Sequence, residues 1–268
     1  LYIGRKFNFF FLFFFKKVLD LDDQACMIVG MIKPKNIYPL SLGADAKTVK
    51  GQLLGYATGI LYLAPVKEAG FGNVCPNASA GCASSCLFTA GRARMSSVRK
   101  ARIAKTQRFF KEKDAFLADI SSAIVKMFSY VKKMEYSFAV RLNGTSDLPF
   151  EKFGIFDKFE DITFYDYTKS KRRMMTYLKG DMPKNYSLTF SRSETNHDDC
   201  MEVLQAGGNV AVVFATKKKK ELPTDWKGFK VVDGDKSDLR FLDDKNVIVG
   251  LRAKGDGIKD ESGFVVKV

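Results

Sequence analysis

Histidine is almost absent. His197 is the one histidine in 268 residues, so a serine or cysteine nucleophile that needs an imidazole base has a single residue to draw on. Cysteine is scarce and odd in number, at five. That argues against a secreted disulfide framework and for a reducing, cytoplasmic setting. The most apolar run, Phe7 to Phe15, is far shorter than the ~20 residues a membrane helix needs, so no membrane partner is expected. Internal repeats and heptad arrays are missing, and after Met31 the only low-complexity stretch is Lys217–Lys220.

Acid is short relative to base. Forty-four Lys and Arg stand against 30 Asp and Glu, a formal charge of +14. Such a balance favours polyanionic partners, with a nucleotide or nucleic acid first. At 46% hydrophobic and 28% charged the chain can bury an ordinary core. The first 30 residues look foreign to the rest: the phenylalanine-rich run is flanked by Arg5, Lys6, Lys16 and Lys17, and no small-residue cleavage pattern follows it. They are expected to be an upstream extension of the reading frame, with starts at Met27 or Met31, leaving 31–268 as a single α/β domain.

Apolar runs alternate with helix-compatible segments from Thr58 onward. Thr58–Pro65, Tyr136–Leu142, Ile162–Tyr165, Ser187–Phe190, Val210–Phe214 and Val247–Leu251 read as strands, with Phe229–Val232 a further one. Ser96–Lys111, Asp114–Lys133, Phe150–Phe159, Thr168–Leu178 and Asn196–Ala206 read as helices. Short, nearly continuous apolar strands between helices imply parallel pairing. The expected fold is a partial (β/α)6-like barrel or an open, mostly parallel sheet, with a Cys-rich loop after the first core strand.

In such folds the active site lies where the strands end. Polar residues gather there in Arg141-Leu-Asn-Gly-Thr-Ser-Asp147, Tyr165-Asp-Tyr-Thr-Lys169, Ser191-Arg-Ser-Glu194 and Arg252-Ala-Lys-Gly255. Asn143, Asp147, Asp166, Arg192 and Arg252 are the candidate catalytic residues, and Ser191, Glu194 and Lys254 the candidate cofactor contacts. Asn and Asp suit hydroxyl or amino groups, and Arg suits a carboxylate or phosphate. Asp233, Asp235 and Asp238 lack the glycine and glutamate of a calcium loop and read as a capped turn.

Cys75, Cys82 and Cys86 concentrate the soft ligands in one short segment rich in Pro, Asn, Gly and Ser. This is where a metal is expected. Structural zinc normally takes four ligands, and only His197 and Cys200 are at hand to complete a site. Three thiolates also suffice for an iron–sulfur cluster with one open iron, as in radical S-adenosylmethionine enzymes, although the Cys-x6-Cys-x3-Cys spacing differs from theirs. Idle thiols are the third reading. Downstream, Arg99, Arg102, Lys105 and Arg108 recur every three residues, a basic stripe that would track a phosphate backbone or simply face solvent.

These residues resemble the bacteriophage "gene product 88" domain family over about Gly55 to Val268. The resemblance rests on Asn73-Val-Cys-Pro, Gly81-Cys, Cys86-Leu, Ala90-Gly-Arg92, Ala101-Arg102 and Lys105-Thr106. It continues through Arg141 to Asp147, Phe164 to Lys169, Asp233 to Asp243 and Gly250 to Gly255. It implies a phage or phage-derived origin and supplies no reaction. The expected function is therefore an iron–sulfur, radical S-adenosylmethionine-like enzyme acting on a nucleotide or nucleic acid. The alternative is a non-enzymatic nucleic-acid-binding protein with a structural zinc.

Overall fold

The computed structural model describes residues 32–43, 45–217 and 220–267. The chain divides after Lys33, and the unit Pro34–Val268 is treated by itself below. The expected upstream extension lies outside the described residues.

The unit is one ten-stranded sheet with six α-helices. Strands β1 (Lys35–Ile37) and β2 (Leu40–Leu42) form an antiparallel hairpin at one edge, and β2 is antiparallel to β3 (Tyr56–Ile60). From β3 the sheet is parallel through β4 (Ser137–Arg141), β5 (Thr163–Thr168), β6 (Tyr186–Ser191) and β7 (Val210–Phe214). Each new strand lies beside its predecessor. Then β10 (Ile248–Arg252) pairs with β7, β9 (Phe229–Asp233) with β10, and the short β8 (Asp225–Trp226) closes the far edge antiparallel to β9. The sheet is thus open and mostly parallel. The run β3 to β7 grows in one direction, without the reversal of a doubly wound sheet.

Right-handed crossovers in a one-way strand order place their helices on one face. The first helix, α1 (Ala46–Gln52), precedes β3, and α2 (Ala80–Ser84), α3 (Ser96–Lys111) and α4 (Lys113–Lys133) lie between β3 and β4. Phe116, Ile120, Ile124, Met127 and Val131 of α4 are fully buried. This is the helical spacing that sequence predicts, and Phe128 packs on Phe138 of β4. Helices α5 (Lys171–Leu178) and α6 (His197–Gln205) cover β5 to β7. In register, Val140 pairs with Phe164, Phe164 with Tyr186 and Asp166 with Leu188, so these side chains share the helix-covered face.

The opposite face carries Tyr56 and Tyr165, whose rings meet Phe241 at centroid distances of 5.1 and 5.5 Å. Phe241 belongs to the 3-10 turn Arg240–Leu242 that follows β9. Among the described residues no helix is long and apolar enough to cross a membrane.

Two expectations change. Phe150–Phe159 is not a helix but two short 3-10 turns, parted by Gly154 in the left-handed region at φ 65°. Phe150 and Phe156 are both buried, so core packing rather than helical periodicity holds this segment. The first parallel strand is also the third of the sheet, because the β1–β2 hairpin and α1 come before it.

Candidate functional site

The chain leaves β3 at Ile60 and runs along the carboxyl edge of the sheet before entering α3. The loop after β4 holds it there. Gly144 N donates to Leu61 O, Thr145 Oγ1 to Leu63 O at 2.6 Å, and Asp147 N to Val74 O at 2.8 Å. A Cβ on Gly144 would lie 2.6 Å from Tyr62 and 2.7 Å from the Leu61 carbonyl, so only glycine permits this approach. The cysteine-bearing segment is not a plain loop. Asn73 Oδ1 accepts from Cys75 N at 2.8 Å, and Ser79 Oγ accepts from Cys82 N at 3.2 Å, capping α2. Glu194, beyond β6, then bolts α2 down, accepting from Ser79 Oγ and Gly81 N, each at 2.7 Å. A Cβ on Gly81 would collide with Ser262, Glu194 and Phe264.

Cys75, Cys82 and Cys86 are all free and half-buried. Burial first, then the Cys86, Cys82 and Asp147 groups, push the Cys75 thiol up to about 12 against a lowering hydrogen bond from the Val66 backbone. Burial likewise raises Cys86, which feels Cys82 and, in the opposite sense, Lys169 and Arg102. The three sulfurs therefore share one electrostatic neighbourhood, with two cations on the Cys86 side. A cleft of ≈ 420 Å³ opens beside them, lined by Val66, Ala83, Cys86 and Phe88 among others. Among the described residues, no group of three His, Cys, Asp or Glu side chains stands positioned to hold a metal ion as the side chains lie.

The fourth-ligand candidates face elsewhere. Cys200 is fully buried in α6 and donates to Asn196 Oδ1 at 3.5 Å; the charges it feels are Arg192, Asp199 and Lys169. His197 packs edge-on against Trp226.

A layer of buried polar groups begins at Arg102, whose charge Cys86 feels. Arg102 is only 8% exposed. Its guanidinium lies 4.6 Å from the Tyr62 ring and 5.7 Å from that of Phe88, while its Nε and Nη1 have no hydrogen-bond partner. Tyr62 OH donates to Asp45 Oδ2 at 2.8 Å. Arg141 Nη1 meets Asp238 Oδ2 at 2.8 Å and stacks 4.7 Å over Tyr167. Tyr165 OH donates to the same Asp238 oxygen at 3.3 Å. Arg240 is 4% exposed, donates from Nη2 to Ser237 O at 2.7 Å and pairs with Asp243. Tyr167 OH, Arg141 Nε and Arg240 Nη1 are buried without a hydrogen-bond partner. So many spare groups in one layer call for water or a polar ligand.

The expected catalytic residues are brought together only in part, and they hold the architecture. Asn143 is saturated: Oδ1 accepts from Ser146 Oγ and Leu148 N, while Nδ2 donates to Leu148 O and Asp166 Oδ2. Asp166 also accepts from Asn143 N at 2.8 Å, and burial raises its carboxyl to about 7. Asp147 accepts from Lys169 N and from Arg173, a residue that sequence reasoning passed over. Arg192 ties down the C-terminal segment through Gly263 O and Phe264 O. Ser191 accepts from Lys169 Nζ. Arg252 pairs with Asp233 and Asp235, and Lys254 with Asp235, so that turn is neutralised by its own cations.

Nor does the basic stripe form one free face: Arg99 is exposed, Lys105 and Arg108 are half-buried and Arg102 is buried. Arg99 pairs with Glu68, and Arg108 with Glu112 and Asp119. Lys105 donates to Pro39 O, and Arg102 points inward. Three-residue steps on an α-helix drift by about 60° each, so four such residues wrap half-way round it. Of the layer's residues, Arg141 and Tyr167 lie in strands, Tyr62 two residues past β3, and Asp238 and Arg240 in the segment after β9; sequence reasoning assigned none of them to the site. Period-two alternation was the available signal: Tyr165 and Tyr167 sit two apart on one face, as do Ala139 and Arg141.

The family model "Gene product 88" matches residues 39–268. The chain belongs to that family. No curated protein and no solved structure matches it.

Proposed function

We propose that this Gene product 88 protein is an enzyme whose reaction centre is the thiol trio Cys75, Cys82 and Cys86, holding an iron–sulfur cluster and using S-adenosylmethionine on a nucleotide or nucleic-acid substrate. One observation carries the reading. Three free, half-buried thiols stand at the carboxyl edge of a one-way parallel sheet, and Arg102 and Lys169 are the cations whose charge Cys86 feels.

Three thiols are the right donor type for a cluster, although as the side chains lie they are not gathered to hold a metal. An activated cysteine nucleophile needs a lowered pKa, whereas burial raises Cys75 and Cys86. Such thiols become good ligands only when a metal's charge draws their protons off. Mononuclear zinc would need a fourth ligand, and Cys200 and His197 are engaged elsewhere. A three-thiolate cluster supplies single electrons and an open coordination position. Around it this chain's own residues act as a frame: Glu194 fixes α2, Arg102 and Lys169 offset anionic charge, and the Tyr62–Arg141–Asp238 layer offers polar contacts to a substrate. Arg92 and Arg94 are exposed in the 3-10 turn that leads into α3, which supports a contact with a phosphate backbone. The free thiols suit a reducing, cytoplasmic setting.

Anaerobic purification tests this. The expected protein is brown, contains iron and acid-labile sulfide, and loses both in Cys82→Ala. A colourless protein with one zinc and salt-sensitive DNA binding would instead support a non-enzymatic nucleic-acid-binding role. A protein with no metal removes the centre from both readings.

A further inference from the structure

Arg102 is over nine-tenths buried, yet its Nε and Nη1 have no hydrogen-bond partner, and among the described residues no carboxylate is counted with the charges it feels. The titratable groups beside it are the Tyr62 phenol and the Cys86 thiol, both kept neutral by burial, and the cation Lys105. Lys105 is half-buried, gives its ammonium to Pro39 O at 3.2 Å, and has its pKa pushed down to about 8 by burial and by Arg102. Lys169 approaches Cys86 as well. A buried charge is ordinarily paired. The Tyr62 and Phe88 rings contribute cation–π attraction, but they leave the Nε and Nη1 donors unmatched.

We propose that Arg102, backed by Lys105, is an oxyanion-binding residue that holds the carboxylate or phosphate of a small molecule next to Cys86. The site is framed by Tyr62 and Phe88, and the orphan N–H groups donate to the anion's oxygens. It requires no metal at the thiols and so goes beyond the cluster reading.

Thermal unfolding of the full chain tests it in a buffer free of other oxyanions. The probes are sodium phosphate, acetate and L-methionine, each against sodium chloride at equal ionic strength. At about a hundredfold excess over Kd, the responding probe should raise Tm by about 5–10 °C. A response to phosphate alone identifies a phosphate ligand, and a response to the carboxylates alone a carboxylate ligand. Arg102→Met should abolish the shift, Arg102→Lys should reduce it, and Lys100→Met, on the exposed surface, should keep it. Should Arg102→Met fail to fold, the contrast between Arg102→Lys and Lys100→Met decides. Repeating the titration on Cys82→Ala separates the two readings, since the shift survives there even if no cluster forms. The proposal is overturned if no probe shifts the wild type beyond chloride, if Arg102→Met responds like wild type, or if Lys100→Met removes the shift.

Discussion

Arg173 and Arg102 are equally buried, at 8% exposed each, and both stand on helices that follow a parallel strand. Their surroundings could hardly differ more. Arg173 Nε and Nη2 meet the two oxygens of Glu151 at 2.9 and 2.8 Å, Nη1 meets Asp147, and Thr168 and Tyr186 accept as well. Every edge of that guanidinium is spent inside the protein. Arg102 has two aromatic rings and no acceptor for Nε and Nη1. A saturated network positions other groups, while an unsaturated one is available for something else. By that criterion Asn143, Asp147 and Asp166 belong to the filled network, and Arg102, with its unmatched donors, is the proposed ligand contact.

The sharpest break in this comparison is Arg173→Met. It strands Asp147 and Glu151, whose side chains are 12% and 6% exposed. Removing one partner of a buried pair costs about 3–5 kcal/mol. Urea denaturation should show that loss; a change below about 1 kcal/mol would mean the network is not the scaffold described.

Next in size is a pH effect. Asp166 has an ordinary carboxyl value of 3.8, and burial lifts it to about 7 in the folded chain. Between those values the folded state keeps a proton that the unfolded state releases. The group's stabilising contribution is therefore complete below about pH 4 and is lost as pH rises towards 7. Asp166→Asn mimics the neutral form. Its stability relative to wild type should improve from pH 4 to 7 by up to about 4 kcal/mol. A difference that stays flat with pH would place the wild-type carboxyl outside that window.

Glu194→Ala is smaller. Burial pushes this carboxyl up, but bonds from Ser79 and Gly81 bring it below its ordinary value overall. Hydrogen bonds to charged groups contribute about 1.5–3 kcal/mol, and partial exposure lowers that to about 1–2 kcal/mol here. The telling readout is local: a thiol-specific reagent should label Cys82 faster in the variant, because α2 has lost its bolt. Unchanged labelling would show that Ser79 alone holds the segment.

Much of the fold was legible because buried parallel strands are short apolar runs, and β4, β7 and β10 lie within a residue or two of their expected bounds. The hairpin Lys35–Leu42 was not, since three-residue strands carry too little pattern. The site was half legible. The thiols announced themselves by crowding. The polar layer did not, because Arg141 and Tyr167 face inward from strand positions, whereas the residues just beyond strand ends turned out to brace loops. Arg102 was misplaced for a geometric reason: a three-residue recurrence rotates around a helix, so a stripe on paper is partly a core on the page of space.

The mildest expected effect on stability completes the comparison. Arg102→Met keeps the unbranched apolar stem and removes a charge whose Nε and Nη1 no acceptor satisfies. Replacing buried charge by an apolar group of similar volume is often neutral or stabilising, and the lost cation–π attraction offsets part of that gain. In oxyanion-free buffer the variant should therefore unfold within about 1 kcal/mol of wild type, against about 3–5 kcal/mol lost in Arg173→Met. Equal losses at the two positions would mean that Arg102 is as much a structural tie as Arg173, and the distinction between a filled and an open guanidinium would fail.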